Sequence, residues 1–328
     1  MLIAAGIAAV LLFLWQIASV LLLAFGGILL AVGLRAAAAF VSRCTKVPQA
    51  WALWLTAAGL ALTLAWGGWL LGGQVASQLD ELWRRLPDTV QAVRETIRGS
   101  AVGSALPDLE TLAGGQSNPL RELGVLTSTT LGGIGDVLLI VVIGLYLAAN
   151  PAPYRSGLLA LVPLGGRGRT SRALAATGEA LRLWLVGKVI AMVAVGGITA
   201  AGLSLIGVPL ALSLGIIAGL LDFVPFFGPI VAAVPGLLIA FSSSPLDALY
   251  AAGVYAGVQQ LEGNLITPLV QKQAVHVEPV LLILGVVAFG LVFGFLGVVF
   301  GAPLVVVATV LVKKLYVEQA PGEGDGRG

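Results

Sequence analysis

"LLDFVPFFGPIVAAVPG", residues 220–236, lies inside a long apolar run and decides how the chain is read. It sets one acid, Asp222, and three prolines, Pro225, Pro229 and Pro235, among aliphatic and aromatic residues. In hydrocarbon, backbone opened by such breakers must be buried in protein or must line a water-filled cavity. An ionisable group at that depth is costly and marks a candidate site. The stretch therefore predicts a broken membrane helix, with Asp222 beside freed carbonyls and amides that can hold a cation, a proton or a polar solute. The competing reading is that Asp222 caps a half-helix or sits at the interface.

Composition supplies the bilayer. Of 328 residues, 58% are apolar and only 10% charged, against about 25% charged in soluble domains. The formal net charge of +2 leaves no basis for a nucleic-acid partner. A single cysteine, Cys44, and a single histidine, His276, exclude an intrachain disulfide and a zinc site of the usual ligand count. No P-loop and no nucleophile-elbow motif is present, so neither an enzyme nor a cofactor is expected. No Lys or Arg precedes Arg35, and the opening apolar run is too long for a cleaved signal peptide. The start is read as two spans, with a break near Gln16 to Ser19.

A span needs about 20 mostly apolar residues. The segments 2–16, 18–40, 50–73, 131–150, 184–206, 209–243, 245–263 and 279–312 meet or approach that, which predicts an all-α polytopic membrane protein of about eight segments. Segments 209–243 and 279–312 are too long for one upright helix at about 1.5 Å per residue, so they are read as broken or re-entrant. Arg35, Arg43 and Lys46, then Arg155, Arg167, Arg169, Arg172 and Arg182, then Lys313 and Lys314, fall on one side of this arrangement. The positive-inside rule makes that side cytoplasmic and puts both termini there.

The organisation follows. Residues 1–73 are a transmembrane scaffold. Residues 74–130 are an extracytoplasmic amphipathic region, with Val75, Leu79, Leu82, Leu86, Val90, Val93 and Ile97 at helical steps. That region is read as a helical cap on the membrane, as an oligomer contact, because an apolar stripe outside the bilayer needs a partner, or as a solute-binding element. Residues 131–183 hold a span, a basic loop and an interfacial helix with Leu174, Leu181 and Trp184 on one face. Residues 184–315 form the transport core, and 316–328 a disordered cytoplasmic tail.

The two long segments look alike. "LGIIAGLLDFVPFFGPIVAAVPGLLIA" from Leu214 and "LGVVAFGLVFGFLGVVFGAPLVVVA" from Leu284 open alike, reach a centre rich in glycine and aromatics, and close through a proline. Two re-entrant hairpins would form an inverted pair around a midplane site, a recurring transporter plan. Two bent single spans fit the basic residues equally well. Pathway candidates are Asp222, Pro225, Gly228 and Pro229 from the first segment and Gly297 and Pro303 from the second. Gln259, Glu262 and Asn264 close the span between them. Gln259 and Glu262 share a helix face, whereas Asn264 joins them only if the helix unwinds before Pro268. Lys188 is expected to snorkel to the interface or else to serve as counter-ion to an acid in the pathway. His276, in a polar linker, reads as solvated.

These residues carry a resemblance. "LDFVPFFGPIVAAVPG", "QQLEGNLITPLVQKQAVHVEP" (259–279) and "GFLGVVFGAPLVVV" resemble, in order and spacing, signatures of the AI-2E family of bacterial permeases. "LVGKVIAMVAVGGITAAGLSLIGVPLALSLG" fits the span before them. The resemblance implies a multi-pass inner-membrane protein that exports a small polar solute, autoinducer-2 being the eponymous one. Some relatives are described as sodium or lithium/proton antiporters, which would give Asp222 or Glu262 the ion. The chain departs from relatives where Lys188 replaces a frequent glutamine and Glu278 a frequent histidine. The expected partners are the bilayer, a small polar solute or monovalent cation, and further copies of the chain. The coupling ion is a proton or sodium, and a non-transporting membrane scaffold is the third reading.

Overall fold

A computed structural model describes residues 2–63, 130–271 and 277–316, with positions 65, 66, 69, 77 and 84. The amphipathic stretch expected at 74–130, His276 and the tail beyond 316 lie almost wholly outside the described residues. Among those described, the regular structure is helical throughout.

Helix α1 runs Leu2–Thr45 without interruption. The break expected near Gln16 is absent, because residues 7–25 contain neither glycine nor proline and two isolated polar side chains do not disturb helix geometry. Its 44 residues would extend about 66 Å at ~1.5 Å per residue. Two spans thus become one element, and span counting no longer places both termini on one side. Helix α2 covers 49–63. Helix α3, Thr130–Ala149, meets α4, Pro151–Ala160, at an 89° bend. Proline opens α4, where its missing N–H costs nothing, and none of its residues is buried.

Helices α1 and α3 pack side by side and run parallel. A Cβ on Gly27 would stand 2.5 Å from Ile143 Cγ2, and one on Gly144 2.8 Å from Leu30. Such close approach through small residues is how membrane helices gain contact without a hydrophobic driving force. Arg35 donates to the Ala148 carbonyl at 3.1 Å, satisfying the C-terminal end of α3.

Helix α5, Arg167–Leu205, is continuous over 39 residues. The separate interfacial helix expected at 171–183 is its first third: one buried stripe runs on through Thr177, Leu181, Trp184, Lys188, Ala191, Val195, Thr199 and Leu203. On its exposed side Arg182 donates to both Glu179 carboxylate oxygens, at 2.8 and 2.6 Å, and holds that carboxyl below its ordinary range.

Both long segments fold back on themselves. The first forms α6, Ala211–Leu221, and α7, Phe227–Ser243, joined by a tight turn. Leu214 packs with Ile239 and Ala240, and Ala218 with Ala232. The second, α10, is helical over Pro279–Leu315 except at Gly294, with φ 63° and ψ −142°. Across that point Gly285 meets Val305, Gly290 meets Val298 and Gly301 meets Val286. Residues 286 and 301 would lie about 22 Å apart in a straight helix, so α10 is a hairpin of two antiparallel arms. The choice between bent spans and hairpins falls to hairpins. Between them run α8, Pro245–Leu261, a π-helical turn at Glu262–Ile266 and the short α9, Thr267–Gln271.

The prolines act differently from expectation. Pro225 lies in the turn, but Pro229 occupies the first turn of α7, where no intrahelical N–H is needed, and Pro235 and Pro303 sit within continuing helix. Membrane helices tolerate such prolines when neighbouring protein satisfies the freed carbonyl.

Candidate transport site

Three helices and a hairpin tip build the site. Glycines set how closely they approach. A Cβ on Gly215 would stand 2.5 Å from Ala200 Cβ and 2.6 Å from the Gly196 carbonyl oxygen; one on Gly219 would stand 2.7 Å from the Met192 carbonyl oxygen. The pattern Gly215-x-x-x-Gly219 therefore seats α6 directly on the backbone of α5. Gly228 closes the hairpin: its added Cβ would lie 1.8 Å from the Leu221 carbonyl oxygen. Helix α6 ends at Leu221, and Asp222 is delivered at the tip, fully buried.

At that tip Lys188 Nζ meets Asp222 Oδ2 at 2.9 Å and Glu262 Oε1 at 3.4 Å. Gln259 donates from Nε2 to Glu262 Oε2 at 3.1 Å. Asp222 and Glu262 therefore face one shared ammonium. Asp222, Lys188 and Glu262 are 0%, 4% and 8% exposed. Asp222 Oδ1 has no hydrogen-bond partner among the described residues. Trp184 packs edge-on to Phe223, 5.7 Å between ring centres, beside the cluster. Phe223 and Val224 pack against the cluster that holds Trp184 of α5 with Val286, Ala302 and Val306 of the second hairpin.

Lys188 thus does not snorkel. It is buried and paired with two acids, because α6 brings one to the buried stripe of α5 and α8 brings another. Asn264 stays apart: the backbone widens into the π turn there, yet its side chain is exposed and reaches Gln260 Oε1 at 3.5 Å. Gly297 closes the second hairpin as Gly228 closes the first, with its added Cβ 1.9 Å from the Phe289 carbonyl oxygen, and Pro303 is buried further along the same arm. Neither is near a charge from its own hairpin, which has none between 279 and 312.

Sequence reading passed over Thr199 and Tyr255, both on the same enclosed axis. Helical steps of three and four from Lys188 along the α5 stripe, through Ala191 and Val195, and seven residues back from Glu262 on α8, would have found them.

Broken helical hairpins, one of which carries a buried ionisable cluster, define a class, that of multi-pass helical membrane proteins. The model of the AI-2E family transporters matches residues 2–316, and the chain belongs to that family. It is 28% identical over 181 residues to YueF of Bacillus subtilis, provisionally named a transport protein, covering 55% of this chain and 48% of that one. It is 30% identical to YrrI of the same organism, similarly named, over 46% of this chain and 43% of the relative. PerM of Escherichia coli, provisionally named a permease, is 30% identical over 42% of this chain and 40% of its own. The matched stretch spans about half the length of these curated relatives or less.

Proposed function

We propose that this protein is a secondary transporter in which Lys188, Asp222 and Glu262 bind and release a coupling proton or monovalent cation while a small polar solute, autoinducer-2-like in kind, crosses the core. One observation carries the reading: two enclosed carboxylates share one ammonium. If both are ionised the cluster bears one negative charge in excess, and Asp222 Oδ1 has no hydrogen-bond partner among the described residues. In a low-dielectric surrounding that excess is costly. A proton on one carboxyl or a small cation against Asp222 neutralises it, so occupancy and enclosure are linked. The same charge opposes closure when the ion is gone, and that bias is what alternating access needs.

The hairpins support the reading because they surround opened backbone with protein, and because inverted broken helices recur at transporter midplanes. The family's exporters favour solute movement; its antiporters favour the ion. The cluster's charge imbalance supports ion coupling in either case. The cytoplasmic side is assigned to the basic residues of 35–46, 151–183 and 313–314, in the bacterial inner membrane, with further copies of the chain against the exposed apolar faces.

The test is flux in proteoliposomes under an imposed proton or sodium gradient, using a labelled solute panel. Asp222→Asn keeps size and removes the excess charge. Gradient-driven flux should fall at least tenfold while downhill flux persists. Coupling that survives the change unaltered would overturn the proposal, and no flux of any kind from the parent chain would favour a scaffold.

A further inference from the structure

The enclosed axis holds a second polar level. Thr199 is 0% exposed, and its hydroxyl has no hydrogen-bond partner among the described residues. Thr45, Thr56, Thr63, Thr170 and Thr177 each turn their hydroxyl onto the carbonyl four residues back. Thr199 does not, although that carbonyl is the habitual partner of a helical threonine. The Tyr255 hydroxyl is also buried and unpartnered, and it lies over Gly236, where a Cβ would stand 2.2 Å from it. The glycine leaves the room that the hydroxyl occupies.

The register places the two at one height along the bundle. Gly202 of α5 meets Val254 of α8, and Val195 and Val258 share one cluster, so the antiparallel helices set Thr199 and Tyr255 at one level. Seven residues of α8 separate Tyr255 from Glu262, about 10 Å. Between the levels lie Val195, Ala218, Ala232 and Val258; beyond Thr199 the axis is filled by Leu203, Leu214, Ile239 and Ala251. No charged residue occurs in 189–221, 223–246 or 248–261. The upper level is therefore uncharged, enclosed, and short of hydrogen bonds that buried hydroxyls normally make.

We propose that Thr199 and Tyr255 form a second binding station, which takes a neutral hydroxyl-bearing group of the transported solute, with water exchanging in its place. A hydroxyl both donates and accepts, so an alcohol or water satisfies both side chains, whereas a bare cation would use only their lone pairs and leave both O–H donors unpaired. The station complements the charged cluster, which handles the coupling ion. Its use by a solute rests on the transport reading above, but its access to water is measured without any transport.

The experiment uses the full chain in proteoliposomes with Cys44→Ser, removing the exposed native thiol. Thr199→Cys and, separately, Tyr255→Cys are treated with a membrane-impermeant sulfonated methanethiosulfonate. Val193→Cys, on the 72% exposed face of the same helix, reports a lipid-facing thiol. Both station cysteines should label at least tenfold faster than position 193. Glycerol should slow them at least twofold, and sodium chloride at equal osmolality should not. Labelling no faster than at position 193 would overturn the station, as would equal effects of glycerol and salt. Thr199→Ser, which keeps the hydroxyl, should elute as the parent does in size exclusion and so shows that the position tolerates change. If Asp222→Asn leaves coupled flux intact while position 199 labels as expected, the coupling reading fails and the station stands.

Discussion

The two hairpins are built alike and do different things. Each has a first arm, a tip and a second arm that begins with a glycine pressed onto a carbonyl of the first: Gly228 on Leu221, Gly297 on Phe289. Their tips differ. In the second hairpin the positive φ falls on Gly294, at 63°, where a residue without Cβ adopts the conformation freely. In the first it falls on Phe226, at φ 65° and ψ −48°, with Phe227 N–H bonded to the Pro225 carbonyl at 2.8 Å. That is a γ-turn of the strained hand. The relaxed tip is apolar and exposed, Leu291 being 84% and Phe295 73% accessible. The strained tip carries the buried Asp222. Strain held by surrounding structure gathers at functional sites, and here it sits four residues from the acid. Glycine closure makes the hairpin; a single carboxylate and the turn that aims it make the site.

The largest effect is expected from Lys188→Met, which leaves two acids enclosed without their cation and should cost about 3–5 kcal/mol. Thermal unfolding in detergent measures it. The double change with Asp222→Asn should recover part of the loss, and strict additivity would show that the pair does not interact. No substitution in 279–312 can reproduce this pattern, because that hairpin holds no charge.

Next comes Gly228→Ala. Its methyl would meet main chain rather than a movable side chain, so a destabilisation of about 3 kcal/mol or more is expected. Gly290→Ala meets only the tip of Val298, at 2.7 Å, and should be milder by the same measurement. Equal losses would mean that the hairpins are not closed where the glycines lie.

The smallest effects are those that exchange the tips. Gly294→Ala should cost about 1–3 kcal/mol, since its backbone region is nearly exclusive to glycine. Phe226→Gly should run the other way, raising stability by about 1 kcal/mol as strain is released, while lowering coupled flux because Asp222 is aimed less firmly. A Phe226→Gly variant that is less stable than the parent would remove strain from the account.

Much of the chain's character is written in residue order alone. Low charge and long apolar runs require a membrane protein, since so few charges cannot clothe a water-facing surface. Segments too long for one crossing require a break, and Asp222, Gln259 and Glu262 declare themselves because apolar surroundings make an acid conspicuous. Residue order could not say that Lys188 faces inward: a lysine near a span's end reaches water or an acid equally well, and only the seating of α6 on α5 through Gly196, Gly215 and Gly219 brings Asp222 to it. Nor could it tell a bent span from a hairpin, because both satisfy the same hydropathy and the same basic loops. Helix continuity at Pro235, and the shared level of Thr199 and Tyr255, likewise depend on which neighbours fill the space. Local chemistry fixes what each segment must bury. Packing between segments, remote in sequence and set by glycine contacts of a few ångströms, fixes what each buried group meets.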